Sequence, residues 1–512
     1  MNNKTVKLYE NPIPFYTPLT ICPAEYTMNL TVSDTTLTGT LHIEWRHEGK
    51  DLLQTLQIKG GYTALDVPSH RDCKVEKDEN ITLIILSTPL HKGEKIIIDI
   101  DFSAELVASP FCDGDGSVLM PKNHENEHYT RNIWYPMLTW DIPICGHYTV
   151  KVDEPEGYLI CATGHKNRNI YSQEYTRVFG LLFCKGLEYM EHVTGDVTIK
   201  AFFKSDNKIA AKRLIETSAD AINYYKELIG FYPQRSYSFL PYSSVWGGGG
   251  NWSTGIAFFH SMHRYNNYDE DKKPWIAAHE ICHHYWGEYI PDGDYCGWLW
   301  IGLGMMMDEE YSLSRGITDV MKSSAASVIS YRQKGNDTTI WQSVEGIKES
   351  EEKGNDYNSI IRHDKSFCIM QMLKQVISKD TLFRVMKRIL REYPGQPLRT
   401  MDFWRICEEE SGMRLDWFFI DCLYSNRLAG YEISSIKNDG EGTKARVNSF
   451  GDFKFPLYIN GKLPGGSIVQ KQLNRLMNSQ TVCFDVNNVA DISIDTGNQL
   501  LVCTEKASIL LK

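Results

Sequence analysis

Apolar and polar residues alternate along the first third of the chain. Tyr26, Met28, Leu30 and Val32 share one phase, as do Leu41, Ile43 and Trp45. Ile96, Ile98, Ile100 and Phe102 repeat the pattern, and so do Tyr148, Val150 and Val152. Successive side chains of a strand point to opposite faces, so a period of two predicts half-buried antiparallel strands. Asp34, Gly39, Gly93, Pro155 and Gly157 supply turn signals between them. The period lengthens after Asn207. Leu214, Ile222, Tyr225 and Ile229 then fall on one helical stripe, with Ser205 or Asp206 as the expected cap and Gly230 and Pro233 as the stop. Helical spacing returns around His279, just after Lys273-Pro274, and dominates from Gly302 to about Leu428. From Tyr431 to Lys512 the pattern is strand-like again, with turns at Asn438-Asp439-Gly440 and Pro464-Gly465-Gly466. This order predicts a multidomain α+β protein: a β-rich domain over residues 1–195, a mixed domain over 196–430 and a small β-sandwich over 431–512.

A chain of 512 residues is too long for one core, which agrees with several domains. The net charge of -11 argues against a nucleic-acid partner, whose phosphates call for a basic face, and gives no hint of binding to an anionic membrane. The N-terminal MNNKTVKLYENPIPFY has no apolar run of the signal-peptide kind. The run from Trp298 to Met307 is too short to cross a bilayer and predicts a buried helix. Thirteen scattered cysteines without a C-x-x-C pair read as reduced thiols, so the expected location is cytoplasmic.

The stretch HEICHHYWGEY, from His279 to Tyr289, contains H-E-x-x-H. Residues i and i+4 of a helix lie one turn apart on one face, so His279 and His283 can offer imidazole nitrogens to one metal ion. Glu280 is rotated by about 100° and borders the same space, where a carboxylate can take a proton from water. The expected cofactor is zinc, with His279 and His283 as ligands and Glu280 as general base. Beside them, Cys282 reads as a small core residue and His284 as a surface imidazole.

The surroundings carry a resemblance. HEICHHYWGEY followed by WLWIGLGMMMDEEY resembles the alanyl-aminopeptidase family of zinc metallopeptidases, which includes the leukotriene epoxide hydrolases. Trp286, Gly287, Trp298, Leu299, Gly302 and Leu303 fit that family's H-E-x-x-H-x-W-F/W-G and W-L-N-E-G-x-A motifs. IWYPML, HYTVKVDEPEGYLICATG, HDKSFCIMQML, TMDFWRICEEESGMRLDWFF and DISIDTG resemble further segments of it, and GGGGN, Gly247 to Asn251, stands where the family has G-A-M-E-N. The resemblance implies a saddle-shaped N-terminal β domain, a thermolysin-like catalytic domain with a helical lobe, and a C-terminal β-sandwich.

Three functional positions depart from the family. The third zinc ligand there is a glutamate. Counting straight from His283 reaches Gly302, and aligning WLWIG with W-L-N-E-G reaches Ile301, so the third ligand is unidentified. Asp308, Glu309 and Glu310 follow roughly 10 Å or more further along a helix, although another alignment makes Glu309 the ligand. Glu288, Asp292 and Asp294 are other substitutes. The family's oxyanion-stabilising tyrosine aligns with His363, which can donate to an oxyanion or serve as the missing ligand. The glutamate that holds a substrate's α-ammonium aligns with Gly250. The glycines still permit a peptide to approach along Gly248, Gly249, Gly250 and Asn251. The expected function is a divergent zinc hydrolase of a peptide or amide bond. A pseudo-peptidase that binds a partner without chemistry, and a biosynthetic metalloenzyme on the same fold, are the alternatives.

Overall fold

A computed structural model describes residues 22–67, 73–78, 81–112, 115–122, 133–139, 144–242, 248–267, 275–294, 296–317, 323–342, 346–347, 349, 357–438, 442–485, 489, 491–495 and 499–504. The readings at MNNKTVKLYENPIPFY, Lys273-Pro274, Gly247, Asp439-Gly440 and the end of DISIDTG lie outside these residues.

The alternating segments are strands. Ala24–Ser33, Thr36–Arg46, Lys95–Ala108 and Gly146–Asp153 sit side by side in a ten-stranded sheet and bury every second residue. One pairing differs from expectation. Ala24–Ser33 runs parallel to Gly146–Asp153. Alternation reports which face is buried and carries no strand direction. Gly39 also differs: it lies inside the strand Thr36–Arg46, where a Cβ would stand 2.6 Å from the Phe102 ring. A second sheet of four strands packs on the first around Trp134 and Tyr135.

A five-stranded sheet follows, in the order Glu188–Thr194, Val197–Phe203, Ser236–Tyr242, Ile256–His260, Gly248–Ser253. Its three inner strands are parallel, and each outer strand pairs antiparallel. Residues 195 and 196 form the turn of its first hairpin, so this sheet reaches back across the expected boundary. Helix α1, Lys208–Ile229, buries Leu214, Ile222, Tyr225 and Ile229 and ends at Gly230 with φ +114°. A short 3-10 turn, Ser205–Asn207, precedes it, and Asn207 rather than Ser205 or Asp206 takes the cap position, without a side-chain hydrogen bond.

Further described helices are α2 (Trp275–Tyr285), α3 (Trp298–Ser314), α4 (Ser324–Gln333), α5 (Ser366–Ile377), α6 (Lys379–Glu392), α7 (Thr400–Ser411) and α8 (Asp416–Leu423). A π-helix, Tyr357–Lys365, runs directly into α5. The apolar run of α3 is core, and no described helix is long and apolar enough to cross a membrane. Beyond α8, strands from Ala429–Asn438 onward form sheets of four and three strands. All thirteen cysteines are free thiols.

Candidate metal centre

Helix α2 packs against α1 on one side, α3 on another, and the edge strand Gly248–Ser253 on a third. The Nε2 atoms of His279 and His283 stand 3.2 Å apart. Two ligands at about 2.0–2.1 Å from a tetrahedral zinc are themselves about 3.3 Å apart. The pair therefore fits a cation held between the rings. The back of His279 is tied down: its Nδ1 donates to Asp308 Oδ2 at 2.6 Å, and the Tyr225 hydroxyl donates to Asp308 Oδ1 at 3.0 Å. A carboxylate on one ring nitrogen fixes the tautomer and directs the other nitrogen's lone pair outward, as behind metal-bound histidines. Burial works against a charge on His279, but Asp308 and then Glu280 outweigh it and raise the imidazole to about 9, so a cation binding at Nε2 displaces a proton there.

Glu280 is 2% exposed and lies under the glycine strand. A Cβ on Gly249 would stand 2.9 Å from Glu280 Oε1, and Asn251 Nδ2 donates to the Glu280 carbonyl at 3.1 Å. A side chain at Gly249 would crowd both the carboxylate and the Phe258 carbonyl oxygen at 3.0 Å, so glycine favours this close approach. Gly248 pairs with His260 and Gly250 with Phe258. A Cβ on Gly250 would enter the Phe258 ring at 2.5 Å. That ring belongs to an aromatic cluster with Tyr242 and Phe111, at 5.2 and 5.9 Å between centroids. An aryl face therefore covers the position where the resemblance implies an ammonium-holding carboxylate.

His363, on the π-helix, turns its ring toward His279, with centroids 6.2 Å apart. Trp275 packs on His279 at 5.6 Å and Trp300 on His283 at 4.9 Å. The structure thus gathers His279, His283, Glu280, His363 and the glycine strand around one region, rimmed by indoles. Among the described residues, His279, Cys282 and His283 also form a group whose ligand atoms lie within 4.8 Å of one another.

The aligned positions cannot bind a metal, and the substitute carboxylates are engaged elsewhere. Ile301 is core, and Gly302 faces Met370 and Ser366. Glu309 accepts from Gln371 and Lys374, both at 2.7 Å, and Glu310 pairs with Lys379 at 2.5 Å. Glu288 accepts from Thr254 and pairs with Arg177 at 3.3 Å. Asp292 accepts from the backbone of Gly297 and Asp294, and Asp294 from that of Thr400. His284 is not a surface imidazole. It is fully buried, with Nδ1 at the Tyr232 hydroxyl and the Tyr237 ring at 4.9 Å, and burial pushes it down to about 3. Three tight neighbours of the site were not read from the sequence as such: Asp308 as the partner of His279, Trp300 against His283, and Phe258 over Gly250.

Residues 214–421 match the peptidase family M1 domain. The match runs from α1 to α8 and includes every residue of the candidate site. It supports a peptidase-like hydrolase, and the M1 peptidases are zinc-dependent. No curated protein matches the chain.

Proposed function

We propose that the protein is a zinc-dependent hydrolase of a peptide or amide bond, cytoplasmic, with a substrate that presents no free α-ammonium. The proposed division is an N-terminal β domain, a catalytic domain with a helical lobe and a C-terminal β-sandwich. The observation that carries the reading is the 3.2 Å imidazole pair, with Asp308 behind His279 and Glu280 beside it under the glycine strand. His279 and His283 would hold the cation. When bound, such a cation supplies Lewis acidity, polarising a carbonyl and making water acidic near neutral pH.

The chain's own residues do the rest. A substrate lying beside the edge strand Gly248–Ser253 would pair with its backbone, in the manner of an added strand. The nearby Glu280 carboxylate takes a proton from the attacking water and returns it to the leaving amine. The Phe258 ring at Gly250 favours an apolar or blocked N-terminal group over a charged one. Trp275 and Trp300 add apolar surface and limit water around the two imidazoles.

The test is Glu280→Gln. Hydrolysis of an N-blocked amide should fall about 10²–10⁴-fold while zinc content stays at the wild-type value. Wild-type turnover by this variant would remove the hydrolase reading and favour the pseudo-peptidase. Gly249→Ala should act more locally, pressing a methyl group against Glu280 Oε1 and lowering turnover without changing zinc content. If free-amine aminoacyl amides were the best substrates, the role given to Phe258 would be wrong.

A further inference from the structure

The π-helix Tyr357–Lys365 does something specific to one side chain. Wide turns of this kind are rare and concentrate at functional positions. Here His363 Nδ1 lies 2.6 Å from the carbonyl oxygen of Asn358, five residues earlier. A carbonyl can only accept, so Nδ1 carries the proton and Nε2 the lone pair. His279 is prepared in the same way by Asp308. The π-helix is also fixed on either side of His363. Arg362 Nε donates to the Cys296 carbonyl at 3.3 Å, and Lys365 Nζ bonds Asp337 at 2.7 Å and the Thr338 carbonyl at 2.6 Å. The backbone that carries the imidazole is thus anchored, and approach to the histidine pair falls to the side chain.

Ring centroids are 4.6 Å apart for His279 and His283, and 6.2 Å apart for His279 and His363. Three imidazoles around a tetrahedral cation hold their centroids about 5 Å apart, so the His363 ring stands roughly 1 Å too far from His279 and, lying outside the 4.8 Å group of His279, Cys282 and His283, must swing inward to bind. Cys282 is the rival. Its sulfur lies within 4.8 Å of a ligand nitrogen of each histidine, but it packs 2.7 Å from the Cβ position of Gly304 on α3 and interacts with Asp308, the carboxylate that already holds His279 Nδ1. We propose that His363 is the third protein ligand of a three-histidine divalent-cation site with His279 and His283, taking the place of the carboxylate that Ile301 does not provide. This rests on the metal-dependent reading of the site, but not on which bond is hydrolysed.

The experiment is Co(II) titration of the full-length protein, followed by visible absorption and metal analysis. Wild type should bind one Co(II) with the intense visible bands of a four-coordinate site and without a near-ultraviolet thiolate band. His363→Ala should weaken binding more than about 100-fold, beyond the loss typical of a residue behind a ligand. Its metal-free thermal midpoint should stay at the wild-type value, which separates ligand loss from misfolding. Cys282→Ala should leave the spectrum unchanged. Wild-type affinity in His363→Ala overturns the assignment, as does a thiolate band that vanishes in Cys282→Ala, or a wild type that takes up no cobalt. If His363→Ala keeps both its cobalt and its hydrolysis, the ligand assignment fails while the hydrolase reading stands. If it keeps cobalt and loses hydrolysis, His363 acts on the oxyanion instead and the assignment is overturned. If wild type binds cobalt through His363 and Glu280→Gln changes no activity, the ligand assignment stands and the hydrolase reading fails.

Discussion

The loop between α2 and α3 and the second half of α3 each carry three carboxylates, yet they serve different ends. In the loop, Glu288 clamps Arg177 and Thr254, Asp292 closes its own turn, and Asp294 accepts from the first amide of α7. On α3, Glu309 and Glu310 pair outward with Lys374 and Lys379, and only Asp308 turns to a histidine of the motif. The loop residues are nearer to His283 in sequence, and the helix residue is the one that reaches the site. Nearness along the chain sets how soon a carboxylate can appear, whereas the crossing of two packed helices sets what it touches. Both regions fall within the stretch that matches the M1 domain, and they differ in how they pack.

The sharpest way to break this comparison is Glu288→Ala. It removes the buried partner of Arg177, whose own side chain is 21% exposed, so unfolding free energy should fall by up to about 3 kcal/mol with no change in metal stoichiometry. Denaturant midpoints and metal analysis read the two quantities separately, and a lost metal ion would mean that the loop serves the site after all. Asp308→Asn should do the converse. Metal affinity should fall about 10–100-fold, because the amide no longer holds His279 in one tautomer. Unchanged affinity in a chelator competition would make Asp308 a structural residue.

The smallest effect belongs to Asp292. Burial and the neighbouring Asp294 push its carboxyl up to about 6. The folded chain then binds more protons than the unfolded chain between about pH 4 and 6, so stability falls as pH rises through that window and levels off above it. Asp292→Asn should flatten this slope in thermal melts and leave activity at neutral pH unchanged. A slope that survives the substitution belongs to another group.

Much of the fold was legible where one face is buried and the other wet. Tyr26, Met28 and Leu30, and the stripe Leu214, Ile222, Tyr225 and Ile229, are core as their spacing predicts. The parallel pairing of Ala24–Ser33 with Gly146–Asp153 was not legible, because a two-residue period has no arrow. At the site, H-E-x-x-H could be read from the spacing of i and i+4 on one helix face, whereas only the resemblance singled out His363, whose ring lies 6.2 Å from that of His279. The π-turn under His363 could not, because a shift from four- to five-residue hydrogen bonding leaves no signature in side-chain type. His284 misled for a related reason. Two histidines side by side suggest one inside and one outside, but Tyr232 and Tyr237 enclose the second as well.

The glycine strand has one more consequence. It is the last strand of its sheet, and terminal strands invite pairing with other copies of the same chain. Consecutive glycines form such ladders poorly on their own, having much backbone freedom to lose and no side chains to stack across the join. A border of this composition discourages fibril-like self-association while still admitting a guest that brings its own ordering contacts.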